Sequence, residues 1–224
     1  MLVDRKEGGV LLARALKKYE ADQPIVLSIL RGGLETGYHV AKYLQADFNI
    51  LITKKLEYPH NPKAGYGAMA EDGSFHISDN ARKRITEDII AQGLEDAKSE
   101  ISRRIEVFRD GLPLPALENR CVIIIDDGIA TADTFFAASQ LCRNQMVSKI
   151  IVATPVAGRH MFPILKRVAD EVIILDTPEN FYSVSDGYMN YPNISDEEAL
   201  AFVKRYEEEC AGSDSPVETD QNSQ

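Results

Sequence analysis

The stretch Cys121-Val-Ile-Ile-Ile-Asp-Asp-Gly-Ile-Ala-Thr-Ala-Asp-Thr134 decides the fold of this chain. It opens with five apolar residues, most of them β-branched, which is typical of a strand buried on both faces. Two adjacent carboxylates, Asp126 and Asp127, end the strand, and Gly128 permits a tight turn. Small residues then lead into an apolar pattern with helical spacing. The stretch therefore predicts a buried parallel strand, a short loop and a helix N-terminus.

Such a loop is suited to an anion, because backbone N–H groups point outward at a helix N-terminus and the helix dipole favours negative charge. The neighbouring carboxylates cannot bind that anion and suit hydroxyl groups or a cation instead. A ligand with both a phosphate and a diol, such as a ribose 5-phosphate, would satisfy both halves. The alternative is an ordinary strand–turn–helix corner that happens to end in acidic residues.

Four more apolar runs alternate with helical patterns along the chain. The expected strands are 24–30, 47–53, 121–126, 149–154 and 171–175, and the expected helices are 5–20, 33–45, 80–109 (one long helix or two), 134–144, 160–169 and 195–208. This alternation predicts an α/β fold with an open, mainly parallel five-stranded sheet and helices on both faces. We expect a single domain over residues 1–209 and a disordered acidic tail over 210–224.

The segment from about 56 to 74 is rich in proline and glycine and is predicted to be a long loop with at most a short strand. A loop of this length inside a compact domain is usually functional or mobile.

The composition narrows the class of protein. The chain has 224 residues and a formal net charge of −10, which disfavours nucleic acid or an anionic membrane as a partner. It has no run of roughly 18 apolar residues and no signal-peptide pattern at its start. Its three cysteines lack metal-site spacing, which favours a reducing, cytoplasmic setting. It contains neither a Gly-x-Gly-x-x-Gly nor a P-loop pattern, so a dinucleotide oxidoreductase or a P-loop hydrolase is disfavoured.

Polar residues follow three of the predicted strands. Arg31-Gly32-Gly33 follows the first, Lys54 and Lys55 follow the second, and Asp126-Asp127 ends the third. Ligands of parallel sheets bind beyond the carboxyl ends of the strands, so these groups are expected to share a site. Strand alternation directs only one of the two lysines into it, and we favour Lys55 slightly. A plain turn at Arg31 and a solvated lysine pair are the alternatives.

The segment from Asp126 to Thr134 resembles the phosphoribosyl-pyrophosphate motif of the type I phosphoribosyltransferases: a hydrophobic strand, two acidic residues, a short spacer and Thr-Gly-x-Thr. The likeness extends over about residues 4–208, to a poorly characterised subgroup of that family. It implies a Mg²⁺-dependent transferase of nucleotide metabolism. This enzyme would move a phosphoribosyl group from 5-phosphoribosyl 1-diphosphate to an unidentified small-molecule acceptor, most simply a nitrogenous base, and release pyrophosphate.

The resemblance also implies roles for individual residues. Asp126 and Asp127 would hold the ribose hydroxyls and Mg²⁺, directly or through water, while Lys55 would neutralise pyrophosphate as a catalytic group. Further substrate contacts would come from Arg31, Gly32, Gly33, Lys54, Gly128, Ile129, Ala130, Thr131, Ala132, Asp133 and Thr134.

The family likeness assigns larger segments as well. Residues 56–74 would form a mobile lid, and residues 155–192 would form a small hood that receives the acceptor. The aromatic residues Phe181, Tyr182 and Tyr188 in that hood could stack on a base or simply belong to the core or surface. A homodimer is usual in the family, and we carry it as an analogy.

The chain departs from the family pattern in the phosphate loop, where Ala132 replaces the usual glycine and Asp133 follows it. If position 132 required a left-handed backbone, alanine would cost about 1 kcal/mol. Asp133 would either repel the 5-phosphate or point outward and stabilise the helix N-terminus by about 0.3–1 kcal/mol. The departure motivates an alternative function, a non-catalytic regulator that binds a nucleotide or phosphoribosyl pyrophosphate.

Overall fold

A computed structural model describes residues 1–211 of the chain. The predicted tail lies, from residue 212 onward, outside the described residues. The helices are α1 Arg5–Leu16, α2 Gly33–Leu44, α3 Asp79–Arg82, α4 Glu87–Arg109, α5 Asp133–Asn144, α6 Met161–Leu165 and α7 Asp196–Ala211. The strands are β1 Ile25–Ile29, β2 Asp47–Leu51, β3 Thr53–Tyr58, β4 Asn61–Ala70, β5 Phe75–Ile77, β6 Cys121–Ile125, β7 Lys149–Val156 and β8 Glu171–Asp176.

The central sheet confirms the predicted fold class. It has five parallel strands in the order β2-β1-β6-β7-β8. The chain leaves β1 toward β2 on one side, while β6, β7 and β8 extend on the other, so the strand order reverses between β1 and β6. Ser28 of β1 pairs with Ile125 of β6, which brings the ends of these two strands together. Open parallel sheets bind ligands at such a reversal point.

Both faces of this sheet are covered. Val26, Ile123 and Ile151 pack against the apolar sides of α1 and α2 on one face. Leu27 and Ile124, which alternate with them, pack against α5 on the other face. A strand that is buried on both sides needs apolar residues at every position, which explains the uninterrupted run at 121–125.

The segment predicted as a long lid loop is instead a three-stranded antiparallel sheet in the order β3-β4-β5, so the loop prediction is wrong. Gly65 and Gly67 permit close packing across the strands, whereas Gly73, with φ +88°, lies in the turn between β4 and β5. A Cβ atom on Gly67 would lie 2.1 Å from the His76 carbonyl oxygen, and one on Gly65 would lie 2.1 Å from Lys55 Cε. Because β2 ends at Leu51 and β3 begins at Thr53, Lys54 and Lys55 lie inside β3 and do not end β2. We call the β3–β4–β5 unit the hairpin sheet.

The predicted hood over residues 155–192 also needs correction. The end of β7, the short helix α6 and the whole of β8 lie in this range and belong to the central domain, because β8 pairs in parallel with β7. The longest irregular stretch is residues 177–195, which include a 3₁₀ turn at Val184–Gly187. A bridge between Leu2 and Tyr188 fastens this segment, which we call the cover segment, to the N-terminus.

The remaining predicted elements are confirmed, with shifted ends. The first helix ends at Leu16 and continues as a 3₁₀ turn to Asp22, and the pattern at 80–109 is two helices. Ser195 caps α7 as expected, because the Glu198 N–H donates to its hydroxyl at 3.1 Å. Within residues 1–211, no helix has the length and apolar content needed to cross a bilayer.

Candidate active site

The arginine–diglycine corner and the acidic strand end are in direct contact, as the sequence predicts. A Cβ atom on Gly32 would lie 2.0 Å from Asp127 Oδ2, and one on Gly33 would lie 2.8 Å from the Ile125 carbonyl oxygen. Both positions therefore need glycine for close approach rather than for an unusual φ. The peptide bond between Leu30 and Arg31 at this corner is cis.

Asp127 does not face an open site. It is 4% exposed, and its Oδ2 accepts a hydrogen bond from Arg5 Nε at 2.6 Å and another from the Tyr191 hydroxyl at 2.9 Å. The Tyr188 hydroxyl donates to its backbone carbonyl. The Asp127 carboxylate is thus the internal counter-ion of Arg5, and the expectation that it offers oxygens to a ribose or a metal ion needs correction.

Arg5 is a residue of this site that sequence reasoning missed. It is 4% exposed, donates from Nη1 to the Pro192 carbonyl at 2.7 Å, and lies over the Tyr191 ring at 3.9 Å from its centroid. It joins α1, the end of β6 and the cover segment in one network. An arginine in the first turn of an amphipathic helix gives no sequence signal of burial, because most arginines there are solvated.

Asp126 remains as the carboxylate available to a ligand. Its side chain is partly exposed, and its Oδ1 accepts the Asp127 N–H at 2.9 Å. Burial, with the nearby Asp127 charge, holds the pKa of Asp126 well above its ordinary value. A polyol or cation that binds the carboxylate form must therefore displace a proton over a wider pH range than at an ordinary aspartate.

This raised pKa predicts a stability effect. The folded state binds the Asp126 proton more tightly than the unfolded state, so stability falls as pH rises from the unfolded pKa of about 3.9 through the raised folded pKa. Asp126→Asn keeps the Oδ1 acceptor and removes this loss, so it should be more stable than the parent at pH 7, by on the order of 1 kcal/mol. Urea unfolding between pH 4 and 8 measures the difference. If the free energy of unfolding changed equally with pH in parent and variant, the prediction would be contradicted. Asp22→Asn, at an exposed position, is the control.

The first half of the predicted phosphate loop is used internally. The Ile129 N–H donates to the Val156 carbonyl at 2.9 Å, its own carbonyl accepts from Gly158 N at 3.4 Å, and its side chain is 1% exposed. Gly128 is buried against Val184, whose Cγ1 would lie 2.2 Å from an added Cβ. The prediction that Gly128 and Ile129 contact substrate is thus not supported by their geometry. Their backbone is an anchor for the loop.

The second half of the loop can bind an anion. Ala130 is partly exposed and Thr131 is exposed. Ala132, at the N-cap of α5, has φ −93° and ψ −6°, so the replacement of glycine carries no left-handed strain. Among the described residues no side chain caps α5, which leaves the N–H groups of its first turn, including those of Asp133 and Thr134, as donors for a ligand.

Asp133 neither points into solvent nor stands alone. Its side chain is 15% exposed, and its Oδ1 lies 3.6 Å from Nε2 of His76 in the hairpin sheet. Burial raises the pKa of Asp133, while His76 and Lys55 act to lower it. The alternative in which Asp133 is an outward helix-end charge is therefore wrong. The hairpin sheet instead brings His76 and Lys55 near the acidic residue that opens α5.

The three basic residues predicted for the site differ in placement. Arg31 Nη1 lies 3.3 Å from Asp196 Oδ1 at the start of α7, and Lys54 Nζ lies 3.0 Å from Glu57 Oε1. Lys55 faces the other side of β3 from Lys54, and its charge reaches Asp133. Lys55 is thus the lysine closer to the phosphate loop.

The residues present fit a magnesium ion only in part. Over residues 1–211 no group of three or more histidine, cysteine or acidic side chains is arranged to hold a metal. Asp126 offers one carboxylate, whereas Asp127 is paired with Arg5. A hard cation that keeps several waters and takes its other ligands from substrate phosphates suits such a site.

The aromatic residues of the cover segment separate into two groups. Tyr188 is 5% exposed, belongs to a core cluster with Leu2 and Val156, and stacks on Tyr191 at 5.3 Å. Phe181 is partly buried beside that cluster, and Tyr182 is 87% exposed. The core alternative is therefore correct for Tyr188.

Known proteins resemble this chain in sequence and structure. The sequence model of the family described as "Phosphoribosyl transferase domain" matches residues 5–162. Two relatives from Mycobacterium tuberculosis strains, each named "Putative phosphoribosyl transferase", are 36% identical over 204 residues, which is 90% of this chain and 46% of theirs. The crystal structure of a Thermus thermophilus protein is 28% identical and superimposes with a TM-score of 0.77, covering 92% of this chain and 99% of that one.

This chain spans about half the length of the curated relatives that it matches. The family match nevertheless covers β1, β6 and their loops, which are the elements that meet at the reversal point of the sheet. The chain belongs to the phosphoribosyl transferase domain family.

Proposed function

We propose that the chain transfers a phosphoribosyl group from 5-phosphoribosyl 1-diphosphate to a nitrogenous base and releases pyrophosphate, with Mg²⁺ as cofactor. One observation carries this proposal. The strand-order reversal between β1 and β6 brings together a partly exposed carboxylate, an uncapped helix N-terminus and a diglycine corner. These groups suit ribose hydroxyls, a 5-phosphate and a pyrophosphate, respectively.

In the proposed reaction the bond from ribose C1 to the pyrophosphate oxygen breaks and a bond from C1 to a ring nitrogen of the acceptor forms, while the acceptor nitrogen loses its proton. Asp126 accepts hydrogen bonds from the ribose hydroxyls, and the first turn of α5 binds the 5-phosphate. The backbone at Gly32 and Gly33 lies against the leaving group. Mg²⁺, held by Asp126 directly or through water, would neutralise pyrophosphate charge. Catalysis then depends on positioning and charge placement.

Asp127 takes a positioning role in this scheme. Its ion pair with Arg5 and its contact with Gly32 fix the corner against the end of β6. The hairpin sheet brings Lys55 toward the phosphate loop and would exclude water from a sugar that water can also attack. Homodimer assembly is part of the proposal. A cytoplasmic setting is part of it as well, because Cys121 and Cys142 are free, buried thiols.

A second candidate is a non-catalytic sensor of the same ligand. Two observations favour it: the closed Arg5–Asp127 pair, which removes one carboxylate from the ribose, and the acidic Asp133 in the phosphate loop. The two candidates differ in turnover and not in binding.

The deciding experiment measures pyrophosphate release from 5-phosphoribosyl 1-diphosphate with Mg²⁺ and a panel of purine and pyrimidine bases. Turnover that falls about 100-fold in Asp126→Asn and is kept in Asp22→Asn supports the transferase. Calorimetric binding without turnover favours the sensor. Absence of both binding and turnover in the folded chain contradicts both candidates.

Asp133→Asn should tighten the binding of ribose 5-phosphate several-fold. The variant removes a negative charge beside the N–H groups that are proposed to bind the phosphate. The repulsion between two unit charges about 4 Å apart is about 1 kcal/mol in bulk water. Titration calorimetry measures the change, with Asp79→Asn as a control for a carboxylate outside the loop. Weaker binding in Asp133→Asn would show that the His76–Asp133 contact holds the loop in its binding conformation.

A further inference from the structure

The outward side of α1 carries an apolar patch that is flanked by charges. Val10 and Leu11 lie at the middle of the helix, and Leu11 is exposed, as is Val3 just before the helix. Glu7 and Arg14 lie on the same side of α1, because residues three, four or seven positions apart share one face of a helix. All five residues line one shallow groove of about 440 Å³. We call this surface the α1 face.

The orientation of α1 is fixed by its opposite side. Leu12, Ala13 and Leu16 are fully buried and pack in the core on the central sheet. Gly9 lies against α2, where an added Cβ would lie 3.0 Å from His39 Cβ. The α1 face therefore cannot turn inward, and in a single chain its apolar side chains remain in contact with water.

Neighbouring side chains extend the apolar patch at both ends of α1. The exposed Met189 lies beside the start of the helix, where its N–H donates to the Leu2 carbonyl at 2.8 Å. The exposed Tyr43 lies beside the end of the helix, with Lys17 Nζ 6.0 Å from the centroid of its ring. Exposed apolar residues are ordinary when they stand singly, whereas a contiguous patch marks a contact surface.

The charges of the α1 face are self-complementary. The midpoint of the face lies between positions 10 and 11. Asp4 and Glu7 precede this midpoint, and Lys17 and Arg14 follow it at the same distances along the chain. An antiparallel copy of α1 therefore sets acid against base at both ends, whereas a parallel copy sets like charges together. The same charge order stabilises a single helix through its dipole, so the apolar middle is the feature that distinguishes a contact surface.

A second copy of this chain fits the face better than a partner of strong charge. Two acidic residues of the groove, Asp4 and Glu7, are balanced by two basic ones, Lys6 and Arg14. An anionic ligand or a strongly basic protein would leave half of these charges without a partner. A twofold contact of the face with itself uses both signs, as interfaces between identical subunits do.

We propose that the α1 face forms the contact of a homodimer, in which two copies of α1 pack antiparallel about a twofold axis between positions 10 and 11. Leu11 then lies against Leu11 of the second copy, and each Glu7 faces Arg14 of the other chain. The face is about 24 Å long from position 3 to position 18, at 1.5 Å per residue. A contact of this size lies at the lower end of the range for stable interfaces, so a reversible dimer is expected. The inference rests on the homodimer included in the proposed function and gives it a location.

The test is sedimentation equilibrium of the full chain over roughly a hundredfold range of concentration. The average mass should rise from that of one chain toward that of two. Leu11→Glu should weaken association by roughly tenfold or more, because the twofold axis brings two carboxylates into the apolar middle. Leu112→Glu introduces the same charge at an exposed leucine in the loop after α4 and should leave association unchanged. Circular dichroism verifies that each variant is folded.

A charge exchange tests the antiparallel register. Arg14→Glu should weaken association several-fold, because its new carboxylate faces Glu7 of the second copy. Glu7→Lys alone also removes the carboxylate that accepts the Val3 N–H at 2.5 Å, so it alters the start of the helix as well. The double variant Glu7→Lys/Arg14→Glu restores opposite charges across the axis and should associate more tightly than either single variant. A structural defect at position 7 cannot produce this recovery.

Three results would overturn the proposal: a folded chain that stays single at every concentration, a folded Leu11→Glu variant that associates like the parent, or a double charge variant that associates more weakly than both single ones. Association that is lost in Leu112→Glu and kept in Leu11→Glu would place the contact on another surface. The transferase is judged separately. Pyrophosphate release by a chain that never dimerises would reject only the interface, and a dimer without ligand binding or turnover would reject only the transferase.

Discussion

Arg5→Met is expected to lower the free energy of unfolding by about 3–5 kcal/mol. The substitution keeps the apolar stem and removes the cation that meets the Asp127 carboxylate, whose side chain is 5% exposed. A buried carboxylate without a partner must either stay charged in an apolar setting or take up a proton. Either outcome lowers the stability of the folded state. Urea unfolding monitored by circular dichroism at pH 5 and pH 8 measures it.

Two companion variants separate this explanation from a general effect on α1. Arg14→Met, on the exposed side of the same helix, should change stability by no more than about 0.5 kcal/mol. Asp127→Asn added to Arg5→Met should recover part of the loss, because it removes the charge that was left unpaired. An Arg5→Met variant as stable as Arg14→Met would show that Asp127 is solvated and free to meet a ligand.

Arg109→Met is expected to cost a similar amount, about 3–5 kcal/mol, and for the same physical reason. Glu71 is only 7% exposed at its side chain, and Arg109 is the basic group that pairs with it. Burial already raises the pKa of Glu71, and Arg109 acts to lower it. Without the arginine the folded pKa rises further, so stability falls as pH increases from about 4 toward 8. The same unfolding measurement over this pH range tests the prediction.

Arg103→Met is the matched control for this variant. Arg103 lies on the same helix and pairs with Glu100, but its side chain is 52% exposed. An exposed pair of this kind contributes at most about 1 kcal/mol. If the two variants lost equal free energy of unfolding, burial would not explain the contribution of the Arg109–Glu71 pair.

The central sheet could be predicted because its residues carry a local signal. Five apolar runs alternate with helical patterns, and the run at 121–125 is buried at every position. The meeting of Arg31-Gly32-Gly33 with Asp126-Asp127 could also be predicted, since parallel strands share an edge for their carboxyl ends. Its closeness, with Gly32 against Asp127, follows from the adjacency of β1 and β6.

The hairpin sheet could not be predicted from its composition. Gly65 and Gly67 are typical of turns, and only the approach of a neighbouring strand shows that they permit close packing instead. The contact between Asp133 and His76 could not be predicted for a similar reason. Its partner His76 is far away in sequence and reaches it only because β5 lies beside α5.

By itself, the sequence determined the fold class, the alternation of strands and helices in the central sheet, and the acidic loop at the end of the central strand. Those features depend on apolar periodicity and turn chemistry, which act over a few residues. Only the tertiary structure decided which acidic residue is available to a ligand. Asp126 and Asp127 are neighbours of identical type, and the difference between them arises from Arg5, 122 positions away, which fills the space beside one carboxylate and leaves the other partly exposed.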